Sequence, residues 1–291
     1  MFILRTSSIC LLAAVVASSA PLARAQRDTA RVYVTVLDRD KPVTGLTAKD
    51  FTIKEDRTMK TVVSVRPATE PMSVVLLADR FGLDTAFQIV DVRGALGAIT
   101  QTLHAGSPET EVGFITFDGA AVPHVRPTTS TATLEGAFRD LAPTNTSPVL
   151  LEAIFAASVA LERVPTDRRI VIALLAGYKT DVSTQRGPDV IAEMRRAGVA
   201  LWTLEGRSVF RPNPQSINRE AVVDLAAKAS GGLHESVGQG TALEPRGKRM
   251  AEFILAQYAV EYAAPARGAQ GLEVGVSVKG AKVIAPTWPP R

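Results

Sequence analysis

The chain is poor in several of the residues on which function is most often built. Its 291 residues include one cysteine and three histidines, and aromatic side chains make up only 5%. A single thiol closes no intrachain disulfide and builds no thiolate metal cage. His104, His124 and His234 are too far apart in sequence to nominate as a metal trio, and each is expected on the surface or in a loop. Nucleic-acid binding calls for a basic stripe interleaved with stacking aromatics. The lysines and arginines here are scattered, and the one local cluster, Arg246-Gly247-Lys248-Arg249, is expected to be a solvated helix start. After the N-terminal segment, no stretch reaches the 18 apolar residues of a membrane span.

Residues 1–25 read as an export signal. Arg5 supplies a positive start, Ile9 to Ala17 is apolar but too short to span a bilayer, and Ala23-Arg24-Ala25 before Gln26 is a small-residue cleavage site. Cleavage after Ala25 removes Cys10, Arg5 and Arg24 and no acid, which lowers the formal charge from +4 to +2 and leaves no thiol. The expectation is a periplasmic or secreted protein of about 265 residues, held together by packing alone.

The interior alternates strand-like and helix-like periods. Val74 to Ala78, Val112 to Phe117, Ile170 to Leu175 and Val199 to Leu204 are short apolar runs bounded by turn formers, as strands buried on both faces should be. Between them Ile89, Val92, Leu96, Ile99 and Leu103, then Leu150, Ile154, Ala157 and Leu161, recur at steps of three and four, the stripe of an amphipathic helix. Gly187-Pro188 opens a helix that ends at Ala197, with Gly198 placed for the left-handed C-terminal position. Gly231 does the same after Asn218 to Ser230. Strands alternating with such helices predict a mostly parallel, Rossmann-like sheet with helices on both faces. Asp118-Gly119 predicts a hairpin into Ala121 to Val125, whose Pro123 suits an antiparallel edge strand, and a last short strand is expected through Leu233 to Glu235.

The flanks follow the strand period instead. Arg31 to Asp38, a turn at Asp40-Lys41-Pro42, Phe51 to Asp56 and Thr61 to Val65 precede the α/β region, and Gln257 to Tyr262, Leu272 to Val278 and Val283 to Ala285 follow it. Neither flank is apolar enough for a core of its own, so the two are expected to pair. The resulting layout is a split β unit, 28–70 and 257–288, interrupted by an α/β domain at 71–256.

Four stretches carry a family likeness. Val43-Thr44-Gly45-Leu46-Thr47-Ala48-Lys49-Asp50-Phe51 with Glu55-Asp56, then Val74 to Asp79, Leu150 to Ile154 and Gln257 to Tyr262 together resemble bacterial von Willebrand factor type A-related domain proteins. The resemblance covers almost the whole mature chain. It implies a Rossmann-like fold whose carboxyl sheet edge carries a metal-ion-dependent adhesion site for protein partners. In the family that site is Asp-x-Ser-x-Ser after the first strand, a threonine in a second loop and an aspartate in a third.

Carried over residue by residue, the pattern is mostly lost. Asp79 matches the first aspartate, but Phe81 and Leu83 stand where serines belong. Pro148 falls at the threonine, beside Thr146 and Ser147, and Gly177 falls at the third-loop aspartate, beside Tyr178. A hard divalent ion needs several oxygens, so no metal or other cofactor is expected; if any ion binds, Asp79 is its ligand. Asp79 is expected instead to accept hydrogen bonds from the start of the following helix, with Phe81 and Leu83 as an apolar rim against Tyr178. Glu152, in an opening helical turn, is accounted for by the helix dipole.

No nucleophile elbow, dinucleotide fingerprint, P-loop or H-E-x-x-H helix occurs, so no enzyme activity is expected, with a hydrolase the remote alternative. The leading reading is an exported module that binds a protein partner without metal through the edge formed by Asp79, Phe81, Leu83, Thr146, Ser147, Pro148, Gly177 and Tyr178. Its rival is a Mg²⁺- or Mn²⁺-dependent adhesion protein whose site is rebuilt by Thr146, Ser147 or Asp181.

Overall fold

The structure, a computed structural model, describes residues 29–83, 87–176, 180–206, 214–263 and 268–290, the side chains of 214–216 excepted. The expected signal segment and the expected site residues Gly177 and Tyr178 lie outside the described residues.

The N-terminal flank contributes β1 (Thr29–Asp38), β2 (Lys41–Pro42), β3 (Phe51–Glu55), β4 (Thr58–Lys60) and β5 (Val62–Pro67). The α/β region follows as β6 (Met72–Ala78), α1 (Ile89–Gly106), β7 (Glu111–Thr116), β8 (Val122–Thr128), α2 (Thr131–Arg139), α3 (Leu150–Glu162), β9 (Arg168–Leu175), α4 (Gly187–Ala197) and β10 (Val199–Gly206). It closes with α5 (Pro214–Ala221), β11 (His234–Val237) and α6 (Leu243–Leu255). The C-terminal flank is β12 (Tyr258–Ala263), β13 (Leu272–Val276) and β14 (Lys282–Ile284).

The central six-stranded sheet has the order β11-β10-β9-β6-β7-β8. Every pairing is parallel except β7 with β8, the hairpin that Asp118-Gly119 predicts. Pro123 and Pro127 sit on β8 at the edge, where a missing N–H costs no ladder bond. Strand β6 is buried along its whole length because helices cover both faces. Val75 and Leu77 pack with α3, α4 and Val222 and Val223 beyond α5, while Val74 and Leu76 pack with α1, α2 and α6.

Local chemistry explains the boundaries. Gly198 ends α4 in the left-handed conformation at φ 66°. Gly247, well inside α6, lies so close to α1 that a Cβ there would meet Ile99 at 3.0 Å. Arg246 and Lys248 beside it are exposed, as expected of a solvated helix start, while Arg249 is half-buried. Arg249 also pairs with Glu235 at 2.8 Å and Asp40 at 3.3 Å. The helix expected at Asn218 to Ser230 starts earlier and passes through a π turn at Val222–Ala226 before Ala227–Ala229. The first turn is at Arg39-Asp40, both at positive φ, and not at Asp40 to Pro42; this two-residue reversal lets Lys41 pair with Asp38.

The two flanks pair, as the alternating period predicts. Strand β1 lies between β12 and β14 in one antiparallel sheet, and β13 pairs with β3 in a second. Val34, Val260, Ile53 and Tyr262 form their shared interior, where the Tyr262 hydroxyl donates to Glu55 at 2.9 Å. Burial first, and then the Glu55 charge, push the Tyr262 hydroxyl well above its usual pKa. Leu37 and Ile284 reach from the flanks into the main core.

One buried arginine binds the junction. Arg168 Nη1 donates to the carbonyls of Ala68 and Glu70 at 3.1 and 2.9 Å, and Nη2 to the Ile254 carbonyl and Gln257 Oε1 at 3.0 and 3.1 Å. Ala68 and Gln257 are where the chain passes into and out of the α/β region, and their backbones bond each other at 2.8 Å.

Candidate functional site

The carboxyl edge of the central sheet brings several of the expected residues together. Asp79 follows β6 directly and is 3% exposed. Its N–H donates to the Leu174 carbonyl at 3.0 Å, and its Oδ1 accepts from the Phe81 N–H at 2.9 Å. The latter is a side-chain turn within the loop. Helix α1 begins only at Ile89, too far along for the cap expected of Asp79.

Phe81 and Leu83 are half-buried, and Leu83 packs against the main core. Phe81 bridges to Thr144, whose N–H bonds the Arg80 carbonyl at 3.0 Å. Thr146 and Ser147 lie against the β7–β8 hairpin, where the Gly119 N–H donates to the Ser147 carbonyl at 2.9 Å. A Cβ on Gly119 would meet the Thr146 methyl at 2.7 Å. Pro148 is buried, bridges to Asp118 and accepts from the Val182 N–H at 2.9 Å.

Asp181 does reach this edge, but its oxygens are spent on backbone. It is 2% exposed; Oδ2 accepts from the Leu150 N–H at 3.0 Å and Oδ1 from the Ser183 N–H at 2.7 Å. Ser183 Oγ takes the next amide, Leu151 N–H, at 3.0 Å. The loop after β9 thus caps α3, which has no side-chain cap of its own. Glu152 completes the exchange by accepting from Thr184 Oγ1 at 3.0 Å and Gln185 N–H at 3.3 Å, a loop contact beyond the dipole role expected of it. Burial pushes the Asp181 carboxyl up despite these bonds. For Glu152 burial acts the same way, but the Ser183 and Thr184 hydrogen bonds outweigh it and hold the group below its usual range.

Two arginines that the sequence reading passed over complete the edge. Arg80 grips Asp118 through Nε at 3.0 Å and Nη2, and donates to the Ala142 carbonyl at 3.1 Å. Arg219, 2% exposed, donates through Nη2 to Glu205 at 2.7 Å, and Glu205 is itself 1% exposed. Glu205, next to last on β10, stands opposite Leu175, while Ala78 of β6 stands opposite Leu174. Asp79 and Glu205 therefore flank the end of β9 at one level. By strand alternation both point to the face covered by α3 to α5. Burial works against the Arg219 charge, but the charges of Glu205, Glu220 and Asp79 outweigh it, and Arg219 in turn favours the ionised form of Asp181.

The described side chains here offer few free oxygens to a divalent metal ion. Phe81 and Leu83 offer no oxygen, both Asp181 oxygens hold amides, and a buried guanidinium supplies the positive charge. Among the described residues no group of three or more His, Cys, Asp or Glu side chains is placed to hold a metal. The histidines lie on α1, β8 and β11, His124 exposed as expected and His104 and His234 half-buried, and each bonds a threonine hydroxyl, at 2.7 to 2.9 Å. The missed signal was Val199 to Glu205, a buried run ending in a carboxylate just as Val74 to Asp79 does.

Sheet order, hairpin edge and flanking helices decide the comparison with solved structures. The fold is that of a von Willebrand factor type A domain. A von Willebrand factor type A protein from Catenulispora acidiphila superposes with TM-score 0.52 at 11% identity, covering 90% of this chain and 74% of that one. The pilus adhesin SpaC from Lactobacillus rhamnosus GG gives TM-score 0.51 at 13% identity, covering 77% of this chain and 36% of the adhesin. No family model and no curated protein matches the sequence. At such identities the type A likeness establishes architecture and no more. Among the described residues no helix is long and apolar enough to cross a membrane.

Proposed function

We propose that this chain is an exported, non-enzymatic protein-binding module of the type A fold whose carboxyl edge engages its partner without a metal ion. The observation that carries the reading is Arg219. Its guanidinium is buried in hydrogen-bonded contact with Glu205 and in the field of Asp79 and Asp181. The edge thus already contains the positive charge that an adhesion ion would supply. Along the same edge Phe81 and Leu83 are half-buried and Val122 and Val182 are exposed by 42% and 49%, apolar side chains that suit a protein contact. Export rests on the signal-like residues 1–25. It also accords with the likeness to a pilus adhesin.

Calorimetric titration of the mature protein with Mg²⁺ and Mn²⁺ tests the reading. The expected outcome is no binding heat up to millimolar metal, together with partner capture from the native envelope fraction that EDTA leaves unchanged. Micromolar metal binding abolished by Asp79→Ala would sink it in favour of the metal-dependent rival. Substrate turnover removed by a single substitution at this edge would make the protein a hydrolase instead.

A further inference from the structure

A groove of about 980 Å³ opens at the other end of the central sheet, lined by the starts of β1, β9 and β10. Five arginines line it, Arg31, Arg168, Arg169, Arg195 and Arg196, against two acids, Asp167 and Glu261. Such a concentration of one sign is unusual in a chain whose total formal charge is only +4.

The arginines divide by the partners they hold. Arg31 pairs with Glu261 at 2.6 Å and Glu70 at 3.2 Å, and Arg196 pairs with Glu193 at 2.6 Å and with Glu162. Among the described residues the other three hydrogen-bond only neutral oxygens. Arg168 holds the three carbonyls and Gln257 at the junction. Arg169 holds the carbonyls of Ala197 and Val164 at 2.7 and 3.0 Å, and Arg195 holds Gln270 Oε1 at 3.1 Å. No carboxylate among the described residues is paired with any of them. Arg168 is 2% exposed, and the buried Nε atoms of Arg168 and Arg169 have no hydrogen-bond partner. A buried guanidinium that meets only carbonyl dipoles keeps most of its desolvation cost, and an arriving anion would offset it. Accordingly, burial depresses the Arg168 pKa, with Glu70 and Tyr33 only partly opposing it.

We propose that this groove binds an acidic peptide segment of a partner protein, its carboxylates received by the half-buried Arg169 and Arg195, with the buried charge of Arg168 behind them. The three cations come from the start of β9 and the end of α4, so positive charge is spread along the groove and not focused on one point. That distribution matches a row of carboxylates better than a single compact anion. Tyr33 and Trp288, also in the lining, offer flat apolar surface for the peptide backbone and side-chain stems. Guanidinium forks suit carboxylates because two parallel N–H donors match two oxygens. The surface lies at the opposite sheet end from Asp79, so it stands or falls independently of the carboxyl-edge reading.

The test is fluorescence anisotropy of a labelled hexaglutamate peptide with the mature protein at low salt. Saturable binding is expected. It should weaken at least about tenfold in Arg169→Ala/Arg195→Ala, since lost charge pairs across an interface cost of that order. It should change little in Arg126→Ala/Arg186→Ala, which removes the same charge from exposed positions elsewhere. If the first double variant unfolds, Arg195→Ala alone keeps the comparison, because among the described residues this half-buried side chain bonds only Gln270. No binding at millimolar peptide, or equal weakening by both double variants, overturns the proposal. So does tighter binding of a hexameric uronate oligosaccharide or of inorganic phosphate than of the peptide.

Discussion

The two ends of the central sheet use the same residue type to opposite effect. At the carboxyl end Arg80 and Arg219 are matched to Asp118 and Glu205. Opposite charges in contact offset each other, so these two arginines leave little unpaired positive charge at that end. At the amino end Arg168, Arg169 and Arg195 are held by neutral oxygens, which fix their positions but leave their net charge. What a partner meets depends less on which charged residues are present than on whether the fold has already paired them.

Breaking the closed pair should have the largest effect. Arg219→Met leaves Glu205 buried without its hydrogen-bonded cation and should cost about 3–5 kcal/mol in urea unfolding. The double variant Arg219→Met/Glu205→Met should recover much of that, because two apolar side chains replace two matched charges. Equal losses in single and double variants would show that the pair is not the unit that matters. At the opposite end Arg168→Met should cost somewhat less, about 2–3 kcal/mol, since it strands carbonyls and not a charge. Hydrogen exchange should then report opening first around Ala68 and Gln257. Exchange that is unchanged there would show that Arg168 does not hold the junction.

The smallest effect sharpens the contrast through pH. The Glu152 carboxyl is held below its ordinary value of 4.5 in the folded state. Its contribution is therefore complete above about pH 4.5 and lost as pH falls through the lower folded value. Asp181 behaves oppositely: raised above 3.8 by burial, it favours the folded state less as pH rises through that window. Glu152→Gln should lower the urea midpoint at neutral pH, and the gap from wild type should close in acid. A gap that stays constant from pH 3 to 7 would show that the contact to the loop after β9 does not depend on the charge.

Much of the fold was legible in the residues because it follows local periods. The buried run at Val74 to Ala78, the stripes on α1 and α3, the hairpin at Asp118-Gly119 and Gly198 each announce an element within a few positions. The site was only half legible. Asp79 can be placed at a strand end, and Phe81 and Leu83 can be seen to lack oxygen. That Asp181 caps α3, 31 residues back, or that Arg219 meets Glu205, 14 residues back, has no counterpart in any period.

Sequence alone thus determined the alternating architecture, the pairing of apolar faces and the lack of side-chain oxygen at Phe81 and Leu83, because these depend on composition and spacing along one segment. Tertiary structure alone decided which charges are neutralised. Packing β10 beside β9 and α5 over the sheet end brings Arg219 to Glu205, and the passage of Ala68 to Glu70 and of Ile254 to Gln257 beside the start of β9 encloses Arg168 among carbonyls. Charge pairing is a matter of a few ångströms between distant segments, and only the folded chain sets those distances.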